Sequence, residues 1–196
     1  MRIGVVVGNP NPQSRTLAVA ERLATKIDAS ADVFIVDLVD YSQRLFVWPD
    51  DELDRLSSDI AACDLLIVAS PTYKATYTGL LKAFLDRYPS RGLAGVFAIP
   101  LMTLASDAHR IAPDVHLRPL LVELGAVVPT SAVAFLTDLI DQADTILEEW
   151  VATNERSLAL VRMAVETSNS AGDLASPPKP VDVTMPVQLD EYIWKF

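Results

Sequence analysis

Five short apolar runs recur along the chain, and a segment with helical spacing of apolar residues follows each of them. The runs are RIGVVVG, DVFIVDL, DLLIVAS, AGVFAIPL and AVVPTSAVAF. Runs of about five apolar residues without polar alternation are typical of parallel strands that helices cover on both faces. The alternation therefore predicts right-handed βαβ units and a three-layer α/β sandwich.

The order of these elements narrows the fold further. Five strands, the first of which starts at residue 2, favour the flavodoxin-like strand order 2-1-3-4-5 over the six-stranded dinucleotide-binding order. In such sheets ligands bind at the carboxyl ends of the strands, at the switch point between strands 1 and 3. This predicts a functional surface on the loops after Val7, Ala69 and Pro100. Helical patterns cover residues 16–27, 51–63, 80–88, 114–124 and 138–166.

Composition limits the class of protein. The 196 residues are 51% hydrophobic and 21% charged, which indicates a globular chain. A net charge of −10 argues against a nucleic-acid or anionic membrane surface. The start MRIGVVVG lacks the features of a signal peptide, so we expect a cytoplasmic protein. The single cysteine, Cys63, is predicted to be a core residue because it has no partner for a disulfide.

The carboxyl-terminal part of the chain has a different composition. SNSAGDLASPPKPVDVTMPVQ is rich in small residues and proline, which predicts an extended segment. It ends in the apolar stretch LDEYIWKF. We therefore divide the chain into a domain over residues 1–167 and a tail over residues 168–196. The tail either folds back on its own domain or forms an arm that anchors on a partner subunit.

The first candidate loop, GNPNPQSRT, follows strand 1 and opens a helix. Free backbone N–H groups and the helix dipole favour an anion at such a position. Neither a Walker loop nor G-x-G-x-x-G is present. A serine here can simply cap the helix, but an arginine so early in a helix opposes the dipole unless it holds an anion. We therefore predict a phosphate site formed by Asn9, Asn11, Ser14, Arg15 and Thr16.

The second candidate loop is SPTYKATYTGLLK, residues 70–82. Pro71 restricts the residue before it to an extended conformation and ends strand 3. Thr78 is predicted to cap the next helix. A rigid loop with backbone polar groups and aromatic side chains suits a flat heterocycle, although the tyrosines could equally be ordinary packing residues.

Together, GNPNPQSRT and SPTYKATYTGLLKAFLD resemble the NAD(P)H-dependent FMN reductase family, in particular its alkanesulfonate-utilisation type. That family carries G-S-P-x-x-x-S-R-S after strand 1 and P-x-Y-K-A-S-Y-[ST]-G-x-L-K-x-x-L-D after strand 3. The resemblance extends to about residue 140. It implies that the predicted phosphate site holds the FMN phosphate. It also implies that the isoalloxazine ring is bordered, through backbone contacts, by Pro71, Thr72, Tyr73, Lys74 and Ala75.

A third segment, PLMTLASDAH at residues 100–109, resembles the family's P-L-x-T-G-G-x-x-A-H. It implies that Thr103, Leu104, Ala105 and Ser106 lie at the flavin edge. Leu104 and Ala105 stand where the family has glycines, which predicts a different ring placement or nicotinamide access. The segment DVHLRPLLVELGA resembles a family helix that builds subunit interfaces, with Val115 where a tyrosine is common. We expect a homodimer or homotetramer.

The resemblance implies an enzyme in which NADPH or NADH passes a hydride to flavin N5. No catalytic side chain is needed, because the cofactors supply the chemistry. The N–H groups of residues 72–75 are expected to stabilise negative charge on the reduced ring. Reduced FMN would then pass to a partner flavin-dependent monooxygenase. If the hydride donor is NADPH, the candidate partners for its 2′-phosphate are Arg87, Arg91 and Arg110.

Two alternatives stay open. A quinone or azo reductase with tightly bound FMN would share both loops. A non-enzymatic flavodoxin-like electron carrier would favour a T-x-T-G-x-T phosphate loop, which residues 8–16 do not provide. His109 and His116 have no metal-ligand spacing or catalytic partners in the sequence, so we assign them structural roles and predict no metal site.

Overall fold

The computed structural model describes residues 1–172, and its strands form one five-stranded sheet in the order β2-β1-β3-β4-β5. All neighbouring strands run parallel, which confirms the predicted flavodoxin-like arrangement. The strands are β1 (Arg2–Val7), β2 (Asp32–Asp37), β3 (Leu65–Pro71), β4 (Phe97–Leu104) and β5 (Val133–Leu136).

Helices cover both faces of the sheet. The α-helices are α1 (Arg15–Ile27), α2 (Asp51–Ala61), α3 (Gly79–Leu85), α4 (Arg118–Glu123) and α5 (Ala143–Gly172). Short 3-10 turns occupy Leu38–Tyr41, Asp107–His109 and Thr137–Gln142, and a π-helical turn, Pro113–Leu117, precedes α4. The predicted boundary at residue 167 falls inside α5. The rest of the predicted tail, residues 173–196 with LDEYIWKF, lies outside the described residues. Within residues 1–172, none of the helices has the length and apolarity that crossing a bilayer requires.

Two cores result from the alternation of side chains along the strands. Ile3 and Val5 of β1 pack with α1 and α5 on one face. Val6, on the other face, packs with α2, α3 and α4. Cys63 is buried in this second core, and burial raises the pKa of its thiol, as expected for the predicted core residue.

Strand β4 extends further than the sequence indicates. The third loop was predicted to follow Pro100, but this proline pairs with Val68 inside the sheet, and the strand continues to Leu104. Ala98 donates to the Val127 carbonyl, and the regular pairing with β5 begins only at Leu101. On the β5 side of β4, no strand residue lies opposite the nitrogen of Pro100. The lack of an N–H at this proline therefore removes no hydrogen bond from the sheet.

The loop after β1 and the start of α3 meet at Gly8. Its N–H donates to the Ala69 carbonyl at 2.8 Å, and its carbonyl accepts from Thr78 Oγ1 at 2.5 Å. Thr78 also caps α3, as predicted, by accepting from the Leu81 N–H at 3.2 Å. A Cβ at Gly8 would lie 2.4 Å from Leu81 Cβ and 3.0 Å from Leu81 Cα. The two segments can pack this closely only because residue 8 has no side chain.

A tight hairpin follows β3. Tyr73 and Thr76 exchange two backbone hydrogen bonds, of 2.9 and 3.2 Å. The two residues between them, Lys74 and Ala75, have φ angles of 52° and 69°. Such a turn normally uses glycine or asparagine. Each left-handed residue with a Cβ costs about 1–2 kcal/mol, so the hairpin tip is strained.

Arg87 anchors the segment between β2 and α2. Its buried guanidinium donates to the carbonyls of Leu45 and Val47 at 3.2 and 2.9 Å and pairs with Asp54 at 3.0 Å. It also lies 3.9 Å from the ring centroid of Trp48. Arg87 is therefore a buried packing residue, and the prediction that it could bind a nucleotide 2′-phosphate was wrong, because protein groups already bind both of its terminal nitrogens.

We predict that Gly8→Ala lowers the free energy of unfolding by about 1–3 kcal/mol, because the new methyl group overlaps the backbone of α3. The matched control is Gly79→Ala, at the exposed first residue of α3, where a Cβ meets nothing within 4 Å. That change should leave stability equal or raise it by up to about 1 kcal/mol. Urea unfolding measures both, and equal midpoints for the two variants would contradict the close contact.

We predict that Ala75→Gly keeps or raises the free energy of unfolding, by up to about 1 kcal/mol, because glycine adopts the left-handed conformation without strain. Ala152→Gly, at an exposed position of α5, provides the control and should cost about 1 kcal/mol. Urea unfolding again gives the comparison. A loss at Ala75 as large as that at Ala152 would show that the turn holds no strain.

Candidate functional site

A cavity of about 380 Å³ opens at the carboxyl ends of β1, β3 and β4. It lies at the predicted switch point, between the loop after β1 and the loop after β3. A volume above about 300 Å³ is in the range of small-molecule sites. Its lining residues are Asn9, Asn11, Pro12, Gln13, Ser14, Arg15, Thr16, Pro71, Thr72, Tyr73, Thr103, Ala105 and Thr137.

Most of the predicted site residues line this cavity, but Lys74, Ala75, Leu104 and Ser106 do not. Leu104 ends β4, and its side chain is fully buried in the core beneath α2, α3 and α4. Ser106 caps the next 3-10 turn. Lys74 and Ala75 form the exposed tip of the hairpin. These four residues therefore lie outside the cavity lining, and the backbone contacts predicted for Lys74 and Ala75 stay a prediction.

The two substituted glycine positions are accommodated without strain. Neither Leu104 nor Ala105 takes the left-handed conformation. Leu104 continues the strand, and only Ala105 reaches the cavity. Of the two substituted positions, only Ala105 therefore lies where it can alter the placement of the flavin ring or the access of the nicotinamide.

Three lining residues were not predicted: Pro12, Gln13 and Thr137. Thr137 follows β5 and donates to the Leu104 carbonyl at 3.2 Å. The rule that ligands lie at the carboxyl ends of strands would have pointed to it, since β5 ends one residue earlier. Pro12 and Gln13 lie inside the first loop, between residues that were predicted.

The start of α1 forms one end of the cavity. Ser14 caps the helix by accepting from the Leu17 N–H at 3.2 Å. The backbone N–H groups of Arg15 and Thr16 have no acceptor within residues 1–172. The Arg15 side chain is exposed and makes one long bond, of 3.4 Å, to the Thr137 carbonyl. These unused donors and the helix dipole suit an anion, despite the negative charge of the whole protein.

A buried polar trio forms the floor beneath this end. Asn9, Thr16 and Thr103 are only 6%, 1% and 2% exposed. Asn9 Nδ2 donates to Thr16 Oγ1 at 3.1 Å, and Thr16 Oγ1 lies 2.7 Å from Thr103 Oγ1. The trio ties the first loop to β4 with hydrogen bonds that low local dielectric strengthens.

The loop after β3 offers fewer free donors than expected. The Thr72 N–H donates to the Thr103 carbonyl at 2.8 Å, and the Tyr73 N–H donates to the Thr76 carbonyl. Those two N–H groups are therefore not available to a ligand, contrary to the expectation for residues 72–75. The N–H groups of Lys74 and Ala75 have no acceptor in the described part of the chain. Their strained conformation holds these two donors at the hairpin tip.

The cavity has few ionisable residues in its lining. Arg15 is the one charged residue among those that line it, and no carboxylate, histidine or cysteine lines it. Burial raises the pKa of the carboxyl group of Asp37, at the end of β2. His109 and His116 lie outside the cavity, and residues 1–172 contain no cluster of potential metal ligands. The site can therefore bind and orient a ligand, but it offers no carboxylate, imidazole or thiol as an acid or base.

The two ends of the cavity suit different parts of one ligand. Hydroxyl, amide and guanidinium groups surround the start of α1, whereas Pro71, Tyr73 and Ala105 give the other end apolar surface. A molecule with a phosphate at one end and a flat ring at the other fits this distribution.

Comparison with known proteins agrees with this geometry. The chain is 32% identical over 130 residues to the FMN reductase (NADPH) of Escherichia coli strain K12, which covers 64% of this chain and 68% of that protein. It is 34% identical over 130 residues to the NADH-dependent FMN reductase SfnF of Pseudomonas putida, covering 61% and 69%. The crystal structure of the apo form of the NADH:FMN oxidoreductase EMOB matches with a TM-score of 0.70 at 30% identity, over 83% of this chain and 89% of that chain.

A family model described as NADPH-dependent FMN reductase matches residues 1–139, which is more than half of the chain. The match includes the first loop, the hairpin after β3 and the end of β4, the segments that build the cavity. The chain belongs to the NADPH-dependent FMN reductase family.

Proposed function

We propose that the protein is an FMN reductase that uses NADPH or NADH as its hydride donor. The observation that carries this proposal is a cavity that has an end suited to an anion, an apolar end, and no carboxylate, imidazole or thiol group. Hydride transfer between two nucleotides needs no such group, because the cofactors carry the reactive atoms. FMN supplies the hydride acceptor, N5, when it is bound.

The phosphate end of the site is assigned to the first loop and the start of α1. The N–H groups of Arg15 and Thr16, the hydroxyl of Ser14 and the Arg15 guanidinium would hold the phosphate. Asn9 and Asn11 would support it, since the Asn11 N–H donates to Asn9 Oδ1 at 3.0 Å and fixes the loop. The donors without acceptors at Arg15 and Thr16 are the observation that fits a phosphate here.

The ring end is assigned to Pro71, Thr72, Tyr73, Thr103 and Ala105. The free N–H groups of the hairpin tip, at Lys74 and Ala75, are the donors proposed to face negative charge on the flavin ring. Leu104 acts through packing, and Ser106 through the turn that it caps.

Delivery of reduced FMN to a flavin-dependent monooxygenase is part of the proposal. It is supported by the exposure of Tyr73 and Ala105 at the ring end, which leaves a path for flavin to enter and leave. A homodimer or homotetramer is supported by exposed apolar side chains at Ile111, Val115 and Val122, on and beside α4. The FMN-binding domain over residues 1–167 and the cytoplasmic location stay expectations from the sequence.

The proposal predicts that purified protein oxidises NADPH or NADH only when free FMN is present. The loss of nicotinamide absorbance measures this activity, with each donor tested separately. No flavin-dependent oxidation with either donor would refute the proposal. Protein that keeps its flavin through gel filtration and turns over only with a quinone would favour the quinone reductase instead.

We predict that Arg15→Gln raises the KM for FMN about tenfold or more, because a hydrogen bond to a charged group is worth about 1.5–3 kcal/mol. The KM for riboflavin, which lacks the phosphate, should not change. Arg22→Gln is the matched control, since Arg22 also lies on α1 and donates to a carbonyl of the same turn, that of Ile140. It does not line the cavity, so the same rise in KM for Arg22→Gln would contradict the assignment.

A further inference from the structure

The amide group of Asn9 has a fixed orientation. Its Oδ1 accepts from the Asn11 N–H at 3.0 Å, and its Nδ2 lies 3.1 Å from Thr16 Oγ1. Turning the amide over would place an NH₂ group against the Asn11 N–H, two donors facing each other. Thr16 Oγ1 therefore receives a hydrogen bond from Asn9, and one of its two lone pairs is occupied.

The two threonine hydroxyls beside it have one proton to spare. Thr16 Oγ1 and Thr103 Oγ1 lie 2.7 Å apart, and either can be the donor in their mutual bond. Each hydroxyl carries one proton, so one of the two protons lies in that bond and the other is left over. Within residues 1–172, neither hydroxyl donates to another protein group. The spare proton is therefore available to a ligand in the cavity that both residues line.

The direction of the bond decides which residue carries the spare proton. If Thr16 donates to Thr103, the proton is on Thr103, and Thr16 offers a ligand only a lone pair. If Thr103 donates to Thr16, both lone pairs of Thr16 are occupied and its own proton is free. Thr103 then offers the ligand only lone pairs.

We propose that the phosphate of the flavin selects the second arrangement and so makes Thr103 a hydrogen-bond acceptor toward the rest of the ligand. Thr16 lies in the first turn of α1, at the phosphate end, and a phosphate dianion can only accept hydrogen bonds. It therefore requires the proton of Thr16. Thr103, on β4, then accepts from a ligand hydroxyl or N–H group rather than donating to a ligand carbonyl.

The proposal for this pair of hydroxyls, those of Thr16 and Thr103, rests on the proposed function. It adds a determinant of selectivity for phosphorylated flavin. The donation from Thr103 also orients Thr16, because two filled lone pairs leave one direction for its O–H bond. Without the Thr103 hydroxyl, one lone pair of Thr16 Oγ1 is unfilled, so the Thr16 O–H bond can turn away from the phosphate. The pair therefore couples β4 to the phosphate although Thr103 does not touch it.

The test compares the dissociation constants of FMN and riboflavin, from quenching of flavin fluorescence, in the wild type and in the variants Thr103→Val, Thr103→Ser and Thr16→Val. The ratio of the riboflavin constant to the FMN constant measures the contribution of the phosphate. We expect Thr103→Val to lower this ratio about three- to tenfold, equivalent to one hydrogen bond of ordinary strength. Thr103→Ser, which keeps the hydroxyl, should preserve it.

Thr16→Val should lower the ratio at least as much, and the double variant should lose no more than Thr16→Val alone, because the two hydroxyls act as a unit. If Thr103→Val weakens FMN and riboflavin binding by the same factor, or if the two losses multiply in the double variant, the proposed coupling of Thr103 to the phosphate is refuted. Thr103→Ala replaces the valine variant if that protein does not fold.

The outcome separates the pair from the proposed function. A wild type that oxidises NADPH or NADH with FMN, but shows equal effects of Thr103→Val on both flavins, overturns the pair alone. A wild type that binds neither flavin overturns both.

Discussion

The contact between Gly8 and Thr78 is the constraint on which the site depends. The Thr78 hydroxyl caps α3 and donates to the carbonyl of Gly8, the first residue after β1, so a single side chain joins the two loops that flank the switch point. Ser70 supports the same junction, because its hydroxyl accepts from the Thr78 N–H at 3.0 Å. The loop after β1 and the start of α3 therefore cannot move apart without breaking the hydrogen bond that Thr78 donates to Gly8. The cavity is held open between two segments that pack as one unit.

Strain at the hairpin tip has the same origin. Tyr73 and Thr76 close a turn that is only two residues long. Just before it, the Thr72 N–H donates a hydrogen bond to the carbonyl of Thr103, on the neighbouring strand β4. With both ends fixed, Lys74 and Ala75 must adopt left-handed conformations. Strained backbone of this kind persists where its surroundings determine it and is concentrated at functional sites. Here it leaves two donors unused by the protein.

The sequence was sufficient to predict the sheet order, the helix caps at Ser14 and Thr78, and the main loops of the cavity, because each depends on local pattern. It was insufficient where partners come from distant strands. The acceptor of the Thr72 N–H belongs to β4, and no spacing rule reveals it. Leu104 is buried because β4 continues for four residues beyond Pro100. The replacement of a glycine in a motif indicates only a loss of backbone freedom and does not reveal this longer strand. Thr137 carries no motif at all, and only the topology brings it to the cavity.

The gap that Pro100 leaves in the ladder has a consequence for how the sheet opens. The segment between Val127 and β5 is held by side chains, with Arg118 donating to the Thr130 carbonyl at 2.8 Å and Asn154 accepting from the Ser131 N–H at 2.9 Å. Rotation of two side chains can release this segment without breaking a strand ladder. In native-state hydrogen exchange its amides would then form a separate, less protected unit, and the edge of the sheet beside α5 would open before the core.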